Sequence, residues 1–144
     1  ACLEDGALEV RREAARVLAE VAERGDERAI SAVSTRLEHE ESDVRCVVLE
    51  ALGGLVEKAD HRVVVAVRGR LQDTHCGVRR EAVRVLGEVA EKGDKRSIMA
   101  IIARLEDASL SVRREAIRVL AQVAPRGCEI AIAAVSAFLE HGDA

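Results

Sequence analysis

Apolar side chains recur along this chain with a helical period. Val10, Ala14, Val17, Leu18, Val21 and Ala22 lie three or four residues apart, while Arg12, Glu13, Arg16 and Glu20 take the other side. That spacing predicts an amphipathic helix. Gly25 ends it, and Asp26 is a natural N-cap for a second helix, whose inward positions are Ile30, Val33 and Leu37. No strand is predicted.

The whole pattern then returns every 34 residues. Leu3, Leu37, Leu71, Leu105 and Leu139 open the near-identical strings LEDG, LEHE, LQDT, LEDA and LEHG. The segment VRREAARVLAEVAERGDERAI from Val10 reappears as VRREAVRVLGEVAEKGDKRSI from Val78 and as VRREAIRVLAQVAPRGCEIAI from Val112. The copy from Val44, VRCVVLEALGGLVEKADHRVV, diverges most. Gly93-Asp94 repeats the turn signal in full, Ala59-Asp60 and Gly127-Cys128 in part. A tandem array follows: an all-α chain of about eight helices in four 34-residue pairs. The repeat phases are 3–36, 37–70, 71–104 and 105–138, with a partial repeat at 139–144, in a single domain over 1–144. The last copy departs from the pattern at Pro125, Cys128 and Ile130.

The recurring string x-V-R-x-E-A-x-x-x-L-[GA]-x-[VL], followed by G-D-x-R-x-I, resembles HEAT repeats. It is most similar to the short HEAT-like subclass of bilin (phycobiliprotein) lyase subunits. The resemblance implies antiparallel helix pairs stacked into a right-handed α-solenoid, with the Val-Arg helices lining the concave side. It also implies that Arg11, Arg45, Arg79 and Arg113 form a polar ladder between repeats, with Asp5, Asp43, Asp73 and Asp107 as partners. The alternative is that these arginines are solvated residues at helix starts, where exposed ion pairs contribute little.

Composition narrows the function. The formal net charge is −4, from 22 Lys+Arg and 26 Asp+Glu, and Phe138 is the only aromatic residue. A mildly acidic chain without stacking platforms is a poor binder of nucleic acid. Hydrophobic residues make up 49% and charged residues 33%, too apolar for a disordered chain. No uncharged apolar run approaches the roughly 20 residues of a membrane span. Cys2, Cys46, Cys76 and Cys128 form no CxxC pair, and so apolar a chain needs no disulfides. Free thiols in the cytoplasm or another reducing intracellular compartment are expected. No signal peptide is visible. Ala1 rather than Met opens the chain, which leaves a fragment or a processed form open.

Enzyme chemistry finds little support. The HEAT-like deoxyhypusine hydroxylases hold a di-iron centre through His-Glu pairs early in the concave helix. The matching positions here are Arg12-Glu13, Cys46-Val47, Arg80-Glu81 and Arg114-Glu115, without a histidine. His39-Glu40 falls out of phase. Cys46 and Cys76, the latter beside His75, face the groove from neighbouring helices, whose spacing of about 8–10 Å is too wide for an unstrained disulfide at most offsets. The HEAT-like DNA glycosylases need a basic concave surface, whereas the groove positions here hold six arginines and six glutamates. GxSxG, HExxH and phosphate loops are absent, and Gly53-Gly54 lies mid-helix, where glycine permits close packing. No catalytic residue, metal or cofactor is expected.

The expected function is therefore non-enzymatic: a scaffold binding another protein through the concave face. That face comprises Arg12, Glu13, Arg16, Glu20, Cys46, Val47, Glu50, Cys76, Arg80, Glu81, Arg84, Glu88, Arg114, Glu115 and Arg118, with the second copy supplying its least charged patch. Glu13–Arg16, Arg16–Glu20 and Arg84–Glu88 are spaced to pair within their helices. A subunit of a bilin lyase/isomerase and a structural segment of a longer HEAT array are the alternatives. Neither nucleic acid nor a membrane is an expected partner. Solenoid ends need polar caps, and the last helix carries Ile130, Ile132, Val135 and Phe138 with nothing to follow it. End-to-end self-association through those four residues is expected.

Overall fold

A computed structural model describes residues 2–57 and 59–141, with side chains for 7–57 and 59–140. The described residues form eight α-helices and no strand. Four long helices are α1 (Cys2–Val21), α3 (Ser42–Leu55), α5 (Cys76–Val89) and α7 (Leu110–Val123). Between and after them run α2 (Glu27–Ser34), α4 (His61–Gly69), α6 (Lys95–Ala103) and α8 (Glu129–His141). Short 3-10 turns at Arg70–Gln72 and Arg104–Glu106 carry the chain from α4 and α6 into the next long helix.

The turn signals place the elements. Gly25, Gly93 and Gly127 adopt φ of 82°, 90° and 78°, and Ala59 holds the same left-handed conformation at 67°. This reversal stops each long helix. It also ties one copy to the next: the N–H groups of Gly25, Ala59 and Gly93 donate to the carbonyls of Leu55, Val89 and Val123, each at 2.8 Å. Asp26, Asp60 and Asp94 then accept from the opening N–H groups of α2, α4 and α6.

Two layers result. The long helices pack in chain order, α1 on α3, α3 on α5 and α5 on α7. Each of α2, α4 and α6 packs on the long helix that follows it, and the helices of this second layer lie further from one another. Small residues let the long helices approach: a Cβ at Gly87 would fall 2.6 Å from Val119 Cγ1, and one at Gly53 would fall 2.7 Å from Glu88 Oε2.

One apolar cluster runs from Ile30 to Ala131 between the layers. The equivalent leucines Leu52 and Leu86 are fully buried and Leu120 is nearly so, but Leu18, in the same phase, is 36% exposed. The core phase therefore breaks at the first copy, because no described helix covers that side of α1.

The polar ladder exists with a different register from the expected one. Arg45 Nε and Nη2 donate to the two carboxylate oxygens of Asp73, each at 2.9 Å, and Arg45 Nη1 donates to the His39 carbonyl at 2.6 Å. Arg79 repeats the fork on Asp107 at 2.9 and 3.0 Å and reaches the Asp73 carbonyl at 2.8 Å. Both carboxylates are almost wholly buried. The partner is thus the aspartate 28 residues on, in the opening string of the next copy. Asp43 takes no part, and the side chain of Asp5 lies outside the described residues.

The two outer arginines depart from the ladder. The position 28 residues beyond Arg11 is His39, and Arg11 instead pairs with Glu41 at the surface, at 2.7 Å. Arg113 donates to the Asp107 and Ala108 carbonyls. A second rung went unforeseen: Arg70 and Arg104 donate to the carbonyls of Leu37 and Leu71, 33 residues earlier, while lying beside Asp73 and Asp107. Burial alone would raise the pKa of Asp73 and Asp107. The arginine forks, a backbone N–H to each carboxylate and the neighbouring guanidinium charges outweigh it and hold both below the usual carboxylate value.

Candidate protein-binding face

The exposed side of the long helices carries the charged positions. On α1, Arg12, Glu13, Arg16 and Glu20 are all exposed, and Arg16 bridges Glu13 at 2.7 Å and Glu20 at 4.0 Å. On α5, Arg84 Nε donates to Glu81 at 3.0 Å and Nη1 donates to Glu88 at 2.5 Å. On α7, Arg118 Nε donates to Glu115 at 3.2 Å. The pairings read from helical spacing are therefore present, and Glu115–Arg118 and Glu81–Arg84 extend them.

This pairing divides the arginines into two kinds. Arg16, Arg84 and Arg118 are held by carboxylates of their own helix. Arg12, Arg80 and Arg114, at one phase of three copies, are exposed and form no ion pair among the described residues. They are the groups available to a carboxylate on another molecule.

The second copy interrupts this pattern. Glu50 is exposed and stands where the other copies place Arg16, Arg84 and Arg118. Val47, expected on the partner-facing patch, is only 5% exposed. An apolar side chain at the phase of Glu13, Glu81 and Glu115 tucks in, and Val47 is removed from the available surface. Cys46 is half-buried against the core. Its thiol is pushed up to about 11, by burial first and then by the negative charges of Glu81 and Asp43. At neutral pH it is a protonated, poorly nucleophilic packing group. Cys76 is exposed, and both are free thiols, as is Cys128. His75 Nδ1 accepts the Gly77 N–H at 3.1 Å, which makes this ring nitrogen a helix cap.

Among the described residues, no group of three or more His, Cys, Asp or Glu side chains is placed to hold a metal ion. No described helix is long and apolar enough to cross a membrane. At the end of the array, Ile130 and Ile132 are exposed, whereas Val135 and Phe138 are half-buried against the core. Leu139, on the same helix, is 75% exposed.

The family model described as HEAT repeats matches residues 1–75 and 66–144. No curated protein matches the chain.

Proposed function

The chain belongs to the HEAT-repeat family, and from that premise we propose that it is a non-enzymatic scaffold binding another protein across the exposed side of α1, α3, α5 and α7. The single observation that carries this proposal is the row of Arg12, Arg80 and Arg114, exposed and without a carboxylate partner among the described residues. An arginine needed only for solubility gains by pairing along its own helix, as Arg16, Arg84 and Arg118 do. The closer packing of the long-helix layer supports a stack that curves toward this side and gives the row a concave setting. The partner surface we infer is acidic where it meets the three arginines and apolar or small opposite Cys46. Three unpaired described cysteines support a reducing compartment.

The test is charge reversal. Arg80→Glu with Arg114→Glu breaks no intrahelical pair, so helicity by circular dichroism should be unchanged while capture of the partner is lost. Capture at the wild-type level would move the binding surface elsewhere. The finer likeness to bilin lyase repeats predicts a different outcome, an absorbance shift on mixing the chain with a linear tetrapyrrole. Such a shift would contradict the scaffold proposal.

A further inference from the structure

One groove in the short-helix layer differs in charge from the equivalent positions of the other copies. It lies between α4 and α6, has a volume of about 360 Å³, and is walled by Val65, Leu71, Ala100 and Ala103. Arg68, Gln72 and Arg104 stand among these apolar side chains, and no carboxylate of the described residues lines the groove. The phase of Arg68 holds Ser34 one copy earlier and Ile102 one copy later. The phase of Gln72 holds Glu38 and Glu106 in those copies. This copy therefore gains a cation and loses an acid at the same groove. Gly69 opens the wall further. Thr35 and Ala103 carry side chains at its phase, whereas a Cβ on Gly69 would have nothing within 4 Å.

Both guanidinium groups have bonding capacity left. That of Arg68 forms no ion pair or hydrogen bond among the described residues. Arg104 uses Nη1 alone, on the Leu71 carbonyl at 3.0 Å and on Asp107 at 3.4 Å. Its Nε is the one buried side-chain nitrogen or oxygen without a hydrogen-bond partner among the described residues. A buried donor in that state carries a desolvation cost that an acceptor removes. Arg45 and Arg79 show which acceptor this edge takes, since each presents Nε and Nη2 as a fork to one carboxylate. Asp107 is not available to Arg104 in that way, because both its oxygens hold the Arg79 fork. We propose that this groove binds an acidic peptide segment of a second protein. Its carboxylate would sit on the Nε–Nη2 edge of Arg104 and near Arg68, with an adjacent aliphatic side chain against Val65 and Ala100. Nε is covered in the free chain, so the guanidinium turns toward the groove as the carboxylate arrives. The apolar walls favour a peptide over inorganic phosphate, which would leave them uncovered. The volume is at the small end for a ligand site, which suits a short segment. The groove uses none of the charged residues of the long-helix face, so this proposal stands independently of the scaffold reading.

Amide NMR with the peptide acetyl-Gly-Val-Glu-Val-Gly-amide tests it. Titration to millimolar peptide should give saturable shifts at Gly69, Gln72 and Ala103. The same peptide with Gln in place of Glu should bind at least about tenfold more weakly. Arg68→Gln breaks no internal pair and should weaken binding of the Glu peptide by about the same tenfold. Arg104→Lys keeps the positive charge beside the Leu71 carbonyl but offers no fork, and should weaken binding as much while helicity by circular dichroism is unchanged. Gly69→Leu places a side chain in open space and should block the peptide with no change in charge. Arg80→Glu with Arg114→Glu, on the long-helix face, should leave peptide binding as it is. Absence of saturable shifts, equal binding of the Gln peptide, or loss of binding in the Arg80 and Arg114 variant alone would each overturn the proposal. Displacement of the peptide by an equal concentration of inorganic phosphate would overturn it in favour of a simple anion site.

Discussion

Replacing Ala59 by glycine should stabilise this protein, although the substitution adds no contact. Ala59 sits at φ 67°, the position that Gly25, Gly93 and Gly127 occupy in the other copies, and is the only non-glycine residue with positive φ among those described. A Cβ in this conformation costs about 1–2 kcal/mol. Glycine removes that strain but has more freedom in the unfolded chain, which gives back about 0.4–1 kcal/mol. Ala59 is exposed, so no packing is lost, and its N–H can still donate to the Val89 carbonyl. The net expectation is a gain of about 0.5–1 kcal/mol in urea unfolding, with the m-value unchanged, and a rise of about 2–3 °C in Tm for a domain of this size. The reciprocal change, Gly93→Ala, should cost about 0.5–1 kcal/mol, the same strain less the unfolded-state freedom that alanine removes. If Ala59→Gly is neutral or destabilising while Gly93→Ala is harmless, the left-handed turn is not what joins successive copies.

Leu86→Ala should cost about 2–5 kcal/mol in the same denaturant melts. Leu18→Ala, at the equivalent but partly exposed position, should cost less than about 1 kcal/mol; equal losses would contradict the one-sided cover of α1. Asp73→Asn, which leaves the buried Arg45 guanidinium without its carboxylate, should cost about 3 kcal/mol at neutral pH. Asp73 and Asp107 titrate below the ordinary value of 3.8 in the folded chain. The stability they contribute is therefore complete above that pH and is lost as pH falls from there through their lower folded values. Urea midpoints measured on acidification should drop more steeply for wild type than for Asp73→Asn, and identical slopes would remove the ladder from the acid response. With a thiol reagent at pH 8, Cys76 should be modified well ahead of Cys46; mass spectrometry showing the reverse order would contradict the burial of Cys46.

Much of the fold could be read from repetition alone. A recurrence of 34 residues fixes which leucines and valines are equivalent, and Gly-Asp fixes where each long helix stops. The face carrying Arg12, Arg80 and Arg114 was legible for the same reason, since helical periodicity separates it from the core. Properties that depend on the neighbour in space were harder to read. Arg45 and Arg79 select the aspartate of the following copy rather than the nearer carboxylate, and nothing in one repeat gives that direction. Arg70 and Arg104 do have a signal, the Arg-Leu dipeptide that recurs at 36–37, 70–71 and 104–105. In a chain this rich in arginine, however, each resembles a solvated surface residue. Val47 and Leu18 depart from expectation through context: one sits at a charged phase but turns inward, and the other sits at a core phase without a cover.

The most direct test of the protein-binding face is where a partner can be crosslinked. A photoreactive amino acid at position 80 lies in the arginine row of α5, and one at position 99 replaces Met99, an exposed residue on α6 in the other layer. If the long helices carry the binding face, irradiation of the complex should give a partner adduct at position 80 and none at position 99. An adduct at position 99 with none at position 80 would place the binding surface on the opposite layer and contradict the proposed function.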